Sequence, residues 1–130
     1  MLIEMPYNST FPVDQVKILS ELITKHKITP VLAHIERYPA LLKNKKLLAD
    51  LKEMGCIMQI NTESLRKLFA KNKIIKLINE GIVTVLGSDT HSTMRGCDYG
   101  IGFSVIEKNC KKKIIENICN TSQALFSGGV

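Results

Sequence analysis

The chain has 130 residues, of which 45% are hydrophobic and 23% charged, and its formal net charge is +6. This length suits one ordinary domain with a hydrophobic core, and neither a long apolar run nor an N-terminal signal pattern occurs. Composition therefore excludes a membrane-spanning protein and predicts a globular one, which we expect in the cytoplasm.

Short apolar runs alternate with helical patterns along the chain. The runs lack polar alternation, which is typical of strands buried on both faces of a parallel sheet. Gly55 and Gly81 end two helical patterns and fit left-handed C-caps that lead directly into strands. In chain order the predicted elements are a strand at 1–5, a helix at 13–26, a strand at 30–35, a helix at 40–54, a strand at 56–60, a helix at 63–80, a strand at 82–87 and two helices at 99–110 and 111–126.

Strands that alternate with helices predict an α/β fold in which right-handed crossovers join about four parallel strands. In such folds the chemistry gathers at the C-terminal ends of the strands. Each predicted strand ends in polar residues, so we expect one polar rim at this edge of the sheet. The rim residues are Glu4, His34, Gln59, Asn61, Ser88, Asp89 and His91.

The rim contains carboxylates and imidazoles, which together suit Mn, Fe, Zn or Mg. A metal held there would activate a water molecule as a nucleophile. Arg37 and Arg95 lie close in sequence to two rim residues, and guanidinium groups bind phosphate oxygens in a bidentate way. Each residue alone is more often structural, but together they favour hydrolysis of a phosphate ester.

The four cysteines form no CxxC pair, and none precedes an arginine at the spacing of a cysteine-dependent phosphatase loop. Cys56 and Cys119 lie in apolar stretches and are predicted to be small core residues, whereas His26 is assigned to solvent. Basic runs at 43–46 and 111–113 have helical periodicity and are typical of solvated helix faces. We therefore expect no nucleic-acid partner, and nucleic-acid binding stays a weaker alternative.

Four segments match a known family in order: "LIEMP", "PVLAHIERYP", "QINTESL" and "VLGSDTHSTMR". They resemble the polymerase-and-histidinol-phosphatase (PHP) superfamily, and within it the bacterial manganese-dependent protein-tyrosine phosphatases of the CpsB/YwqE type. The closing "NTSQALFSG" resembles the end of the same family, so the similarity spans essentially the whole chain. The resemblance implies the C-terminal half of a distorted (β/α)7 barrel, with residues 1–130 as a single partial PHP domain.

The resemblance also implies an activity and a role for each rim residue. The activity is hydrolysis of phosphotyrosine by water activated on divalent metal, with Mn as the first expectation. The substrate would be a phosphotyrosine protein, in particular a bacterial tyrosine kinase that controls capsule or exopolysaccharide synthesis. By this resemblance the metal ligands are Glu4, His34, Asp89 and His91, Arg37 and Arg95 are catalytic residues that grip the phosphate, and Asn61 joins them in binding substrate.

Two departures from the family pattern change the expectation for this chain. Ile35 stands where the family has proline, and the interval between Asp89 and Arg95 varies in the family. More importantly, the family opens with an HxH motif that does not occur here, so the metal cluster would be incomplete. We therefore expect a fragment that binds metal weakly and has little or no activity alone, with an N-terminal half or a second copy as its partner.

Two other functions stay open. The first is another PHP phosphoesterase, such as a histidinol-phosphate phosphatase or a polymerase-associated exonuclease, although "HIERY" and "QINTESL" favour the tyrosine-phosphatase branch. The second is a non-catalytic remnant that binds a kinase tail or a complementary half and keeps the rim ligands without using them. A substrate panel tests the first, and metal analysis tests the second.

Overall fold

The computed structural model describes residues 1–5, 13–90 and 99–128. The chain forms two compact units, Met1–Gln59 and Ile60–Val130. In chain order the elements are β1 (Leu2–Ile3), α1 (Val13–Thr24), β2 (Val31–Leu32), a 3₁₀ helix (Ile35–Arg37), α2 (Pro39–Lys43), α3 (Lys45–Met54), β3 (Ile57–Asn61), a 3₁₀ helix (Thr62–Arg66), α4 (Leu68–Asn79), β4 (Val83–Gly87), α5 (Tyr99–Asn109) and α6 (Lys112–Phe126). Of the helices in these described ranges, none has the length and hydropathy needed to cross a membrane.

The strands form one sheet in the order β1-β2-β3-β4, so each strand lies beside its neighbour in sequence. Strands β1 and β2 are parallel, with Leu2 paired to Val31 and Ile3 paired to Leu32. Strand β3 is parallel to β2 in turn. The Ala33 N–H donates to the Ile3 carbonyl at 2.9 Å, which extends the ladder by one bond. Parallel strands connected by helices confirm the α/β class predicted from the sequence.

The first two strands are shorter than the apolar runs that predict them. The runs cover 1–5 and 30–35, whereas pairing is confined to Leu2–Ile3 and Val31–Leu32. The second strand ends early because the main chain leaves the extended conformation at the turn that contains His34, whose φ is 36°. Glu4 and His34, which the sequence assigns to the ends of these two strands, therefore lie just beyond them.

The helix predicted at 40–54 is two helices that meet at Asn44. Its main-chain N–H donates to the Leu41 carbonyl at 3.1 Å and closes α2, while its side-chain Oδ1 accepts the Leu47 N–H at 3.0 Å and caps α3. Asparagine is a preferred N-cap because its short side chain satisfies an unpaired N–H of the first turn. At the other end of α3, the φ of 105° at Gly55 confirms the predicted left-handed cap.

In the second unit, the predicted helix at 63–80 begins as the 3₁₀ helix Thr62–Arg66 and continues as α4. The φ of 67° at Gly81 confirms the second predicted left-handed position, just after α4. Helix α5 packs against the 3₁₀ helix, and α6 packs against β4. These contacts fix the segment that leaves β3, which carries part of the polar rim.

Buried apolar side chains come from the strands and from one face of most helices. The largest fully buried ones are Leu19, Leu32, Ile35, Leu41, Leu48, Leu51 and Met58 in the first unit and Ile60, Leu65, Ile74, Ile78 and Ile106 in the second. Every residue of β3 from Met58 to Asn61 is buried, as expected for a strand covered on both faces.

The two cysteines predicted to lie in the core differ. Cys56 is buried, as predicted, but Cys119 is exposed. Its neighbour Ile118 is the buried residue of α6, and successive helical residues are about 100° apart around the axis, so Cys119 faces away from the core. The prediction for Cys119 was wrong because apolar neighbours in sequence do not share a helix face.

Among the three cysteines that the structure describes, we expect a maleimide reagent to label Cys119 fastest in the folded chain and Cys56 only after unfolding. Burial raises the pKa of the Cys56 thiol to about 11, so the reactive thiolate is scarce at neutral pH. Burial also raises the pKa of Cys110, which should label at an intermediate rate. Mass spectrometry of the labelled peptides over time, with a urea-unfolded sample as reference, measures each rate. Equal labelling of Cys56 and Cys119 before unfolding would contradict this arrangement.

Candidate metal centre

The main chain turns at His34, just after β2. Its φ of 36° and ψ of 53° are left-handed, a conformation that costs a residue with a side chain about 1–2 kcal/mol. The His34 N–H donates to the side-chain Oε1 of Gln59 in a very short hydrogen bond, and its carbonyl accepts the Arg37 N–H at 2.9 Å. Contacts to both main-chain groups hold this turn. Strain of this kind clusters at functional sites.

Glu4 and His34 form the closest pair of candidate ligands in the first unit. The Glu4 Oε1 lies 3.0 Å from the His34 Nε2, and the exposed fraction is 3% for the imidazole and 66% for the carboxylate side chain. Two neighbouring ligands of one metal, each bonded at about 2.0–2.2 Å, are separated by about 3 Å. The observed separation is that of a direct hydrogen bond, and it also fits two ligands of a shared cation.

Asn61 and Asp89 form a second pair, in the other unit. The Asn61 Nδ2 donates to the Asp89 Oδ2 at 2.9 Å, and Asn61 is buried at the end of β3. Asp89 follows β4 and has a φ of 53°, so it also lies in the left-handed region. Aspartate enters this region more readily than most residues. An amide that donates to one carboxylate oxygen fixes the plane of the carboxylate. Residues that hydrogen-bond to metal ligands commonly orient them in this way.

Of the three remaining predicted site residues, one lies within the described ranges. Arg37 ends the 3₁₀ helix that follows His34 and is half-buried. His91 and Arg95 lie outside the described residues. His26, which the sequence assigns to solvent, is exposed in the turn directly after α1.

The donor set suits a hard or borderline divalent cation, because it consists of carboxylate oxygens and imidazole nitrogen. The structure brings Glu4 to His34 and Asn61 to Asp89. Within 1–5, 13–90 and 99–128, no group of three or more His, Cys, Asp or Glu side chains is arranged to hold a metal ion. Each pair therefore fits part of a coordination shell rather than a complete one.

Two residues near the pair were not assigned a role from the sequence. The sequence predicted Gln59 only as a polar residue at the end of a strand. In the structure its side-chain Oε1 accepts a hydrogen bond from the His34 main-chain N–H. Tyr38 was missed, and its hydroxyl lies 3.5 Å from the His34 Nδ1. The available signal was spacing, since Tyr38 follows His34 by four residues within "HIERY".

A known protein family matches nearly the whole chain. Residues 1–125 match the family of capsular polysaccharide synthesis proteins CpsB/CapC. The chain belongs to the CpsB/CapC family. The resemblance stated from "HIERY" and "SDTH" is thereby confirmed.

Curated relatives share local sequence with the CpsB/CapC chain. The tyrosine-protein phosphatase CpsB of Streptococcus pneumoniae is 40% identical over 73 residues, which are 50% of this chain and 30% of CpsB. CapC of Staphylococcus aureus is 36% identical over 95 residues, which are 71% of this chain and 36% of CapC. The matched regions thus span about a third of each relative's length.

A solved structure shares the fold. It comes from the crystal structures of YwqE from Bacillus subtilis and CpsB from Streptococcus pneumoniae, described as metal-dependent tyrosine phosphatases. The TM-score is 0.87 at 25% identity, over 100% of this chain and 53% of the other. This likeness confirms the expected PHP-type fold class.

Proposed function

We propose that this chain carries part of the site of a metal-dependent protein-tyrosine phosphatase of capsule synthesis. The observation that carries the proposal is the 3.0 Å approach of the Glu4 carboxylate to the buried His34 imidazole, in a chain of the CpsB/CapC family. The substrate would be a phosphotyrosine protein, in particular a tyrosine kinase acting in the cytoplasm. The region that matches CpsB is 30% of that protein's length.

The proposed ligands are Glu4, His34, Asp89 and His91, with Mn²⁺ as the proposed cation. When bound, a divalent cation would supply Lewis-acid activation of water and of a phosphoryl oxygen. Glu4 and Asp89 contribute anionic oxygens, and His34 contributes a ring nitrogen held by its buried position. Asn61 orients Asp89 through the bond between Nδ2 and Oδ2. The chain therefore supplies hard donors of the kind that Mn²⁺ prefers.

Arg37 and Arg95 are proposed to bind the phosphoryl group. A guanidinium group stays protonated at any working pH and matches two phosphate oxygens at once. Arg37 follows His34 by three residues, and its main-chain N–H donates a hydrogen bond to the His34 carbonyl. The position of Arg37 therefore depends on the same turn. A phosphate held by Arg37 would then be bound by the segment that carries His34, a proposed ligand in the same unit.

The test is hydrolysis of a phosphotyrosine peptide by the purified chain with Mn²⁺, compared with phosphoserine peptide and histidinol phosphate. We expect slow, Mn²⁺-dependent hydrolysis of phosphotyrosine, well below that of full-length CpsB, that stops with EDTA and in the Asp89→Ala variant. Asp50→Ala is the matched control, because Asp50 is an exposed carboxylate on α3. The rate should fall by more than the roughly 10–100-fold that outer-shell partners cost.

Each other outcome contradicts the proposal in a distinct way. Preference for histidinol phosphate would assign the chain to another branch of PHP phosphoesterases. Equal rates in the Asp89→Ala variant and in the unchanged chain would remove Asp89 from the site. Absence of both hydrolysis and Mn²⁺ binding, measured by mass spectrometry of the metal content, would favour the non-catalytic remnant.

A further inference from the structure

Tyr38 is buried, and its hydroxyl bonds both main-chain groups of Met5. The Met5 N–H donates to the tyrosine oxygen at 3.0 Å, and the hydroxyl donates to the Met5 carbonyl at 2.8 Å. The exposed fraction of Tyr38 is 3%. We propose that Tyr38 is a positioning residue that holds the Glu4–His34 pair in its metal-binding geometry. This inference rests on the proposed function.

The first part of the role concerns Glu4. Met5 follows Glu4 directly, so a clamp on both polar groups of Met5 fixes the peptide that leaves Glu4. β1 has two residues, Leu2 and Ile3, and is paired with β2 over that length alone, so its own ladder is short. The Tyr38 clamp adds two hydrogen bonds just beyond the strand, across 33 residues of sequence. The clamp therefore fixes the position of the Glu4 main chain relative to the segment that carries His34.

The second part concerns the imidazole of His34. A tyrosine hydroxyl has one proton, and here that proton is donated to the Met5 carbonyl. The tyrosine oxygen that lies 3.5 Å from Nδ1 can then accept a proton from that nitrogen. A cation on Nε2, the nitrogen that lies 3.0 Å from the Glu4 Oε1, would leave the proton of the neutral ring on Nδ1, so the Tyr38 oxygen suits the metal-bound form of the ring. Without a cation, Nε2–H would donate to the Glu4 carboxylate instead. Partners of this kind set which ring nitrogen binds metal.

The rings of His34 and Tyr38 lie beside one another. The centroids of His34 and Tyr38 are 5.8 Å apart, with planes inclined by 30°. The His34 main chain is anchored separately, through its N–H on Gln59. The backbone of the histidine and one edge of its ring are thus held from different sides, and the opposite edge is directed to Glu4.

The first test compares Mn²⁺ affinity among four forms of the 130-residue chain, with free Mn²⁺ quantified by its EPR signal. Tyr38→Phe keeps the ring and removes the hydroxyl, so we expect affinity about 10–100-fold weaker. Tyr99→Phe removes a hydroxyl from α5, in the other unit, and should leave affinity unchanged. Leu19→Ala truncates a fully buried side chain on α1 and should lower stability without changing affinity.

Unchanged affinity in Tyr38→Phe would overturn the proposal. An equal loss of affinity in Leu19→Ala would also overturn it, because the effect would then follow stability rather than the hydroxyl.

The second test uses the unchanged chain loaded with Zn²⁺, a diamagnetic cation that the same donors bind. With ¹⁵N-labelled histidine, and with signals assigned through a His34→Gln variant, the Nε2 of His34 should be metal-bound and Nδ1 should carry a proton. Binding through Nδ1, or no Zn²⁺ binding at His34, would overturn the proposal even if Tyr38→Phe failed to fold. Metal binding of this form without any hydrolysis of phosphotyrosine would contradict the proposed function alone.

Discussion

Alanine at position 102 is expected to lower the free energy of unfolding by about 1–3 kcal/mol, the usual cost of overpacking a core. A Cβ at Gly102 would lie 2.5 Å from the Thr62 Cβ, 2.9 Å from its carbonyl oxygen and 3.0 Å from its Cα. Two of these atoms are main chain, so no side-chain rotation relieves the overlap. Helix α5 would have to move away from the 3₁₀ helix at Thr62–Arg66.

The matched control is Gly100→Ala, two residues earlier on α5. A Cβ there meets nothing within 4 Å, so the change should leave stability equal or raise it by up to about 1 kcal/mol through helix propensity. Urea denaturation followed by circular dichroism measures both variants. If the two alanines had the same effect, the close approach of α5 to Thr62 would be absent in solution.

This packing also bears on the site. Thr62 follows Asn61 directly, and its Oγ1 donates to the Gly87 carbonyl at 3.3 Å, near the end of β4. Displacement of Thr62 would therefore disturb the segment that directs Asn61 to Asp89. We attribute the glycine at position 102 to this requirement for close approach rather than to backbone flexibility.

The sequence predicted the order of strands and helices because buried parallel strands and amphipathic helices each leave a periodic pattern. It located Gly55 and Gly81 correctly, since short helix-to-strand connections need a left-handed residue. It did not predict the break at Asn44, where a side-chain cap competes with continuation of an otherwise apolar helical pattern. Helix propensity alone could not distinguish one continuous helix from two helices that meet at Asn44.

For the site, the pattern predicted that strand-end polar residues would meet, and the structure brings together Glu4 with His34 and Asn61 with Asp89. Their roles as ligands stay predictions. The left-handed turns at His34 and Asp89 could not be read from sequence, because tertiary contacts such as the Gln59 side chain hold them. Tyr38 was missed for the same reason, since its partner Met5 is 33 residues away.

We expect Asp89→Gly to abolish Mn²⁺-dependent hydrolysis and yet to be more stable than Asp89→Ala by about 1 kcal/mol. Glycine adopts the φ of 53° at this position without the Cβ penalty of about 1–2 kcal/mol that alanine incurs. Both variants lose the hydrogen bond from Asn61 equally, so their difference isolates the main chain. Urea denaturation of the two variants measures it.

The control is the same pair of substitutions at Asp50, where the stability difference between glycine and alanine should have the opposite sign. Asp50 lies within α3, where glycine is less stable than alanine by about 0.5–1 kcal/mol. If Asp89 showed the order found in the helix, the left-handed turn after β4 would be absent in solution. If glycine is indeed the more stable of the two at position 89, a strained main chain is retained there together with a carboxylate. Strain kept at a position that a simpler residue would relieve is expected where the side chain itself is needed, which ties this turn to the proposed metal site.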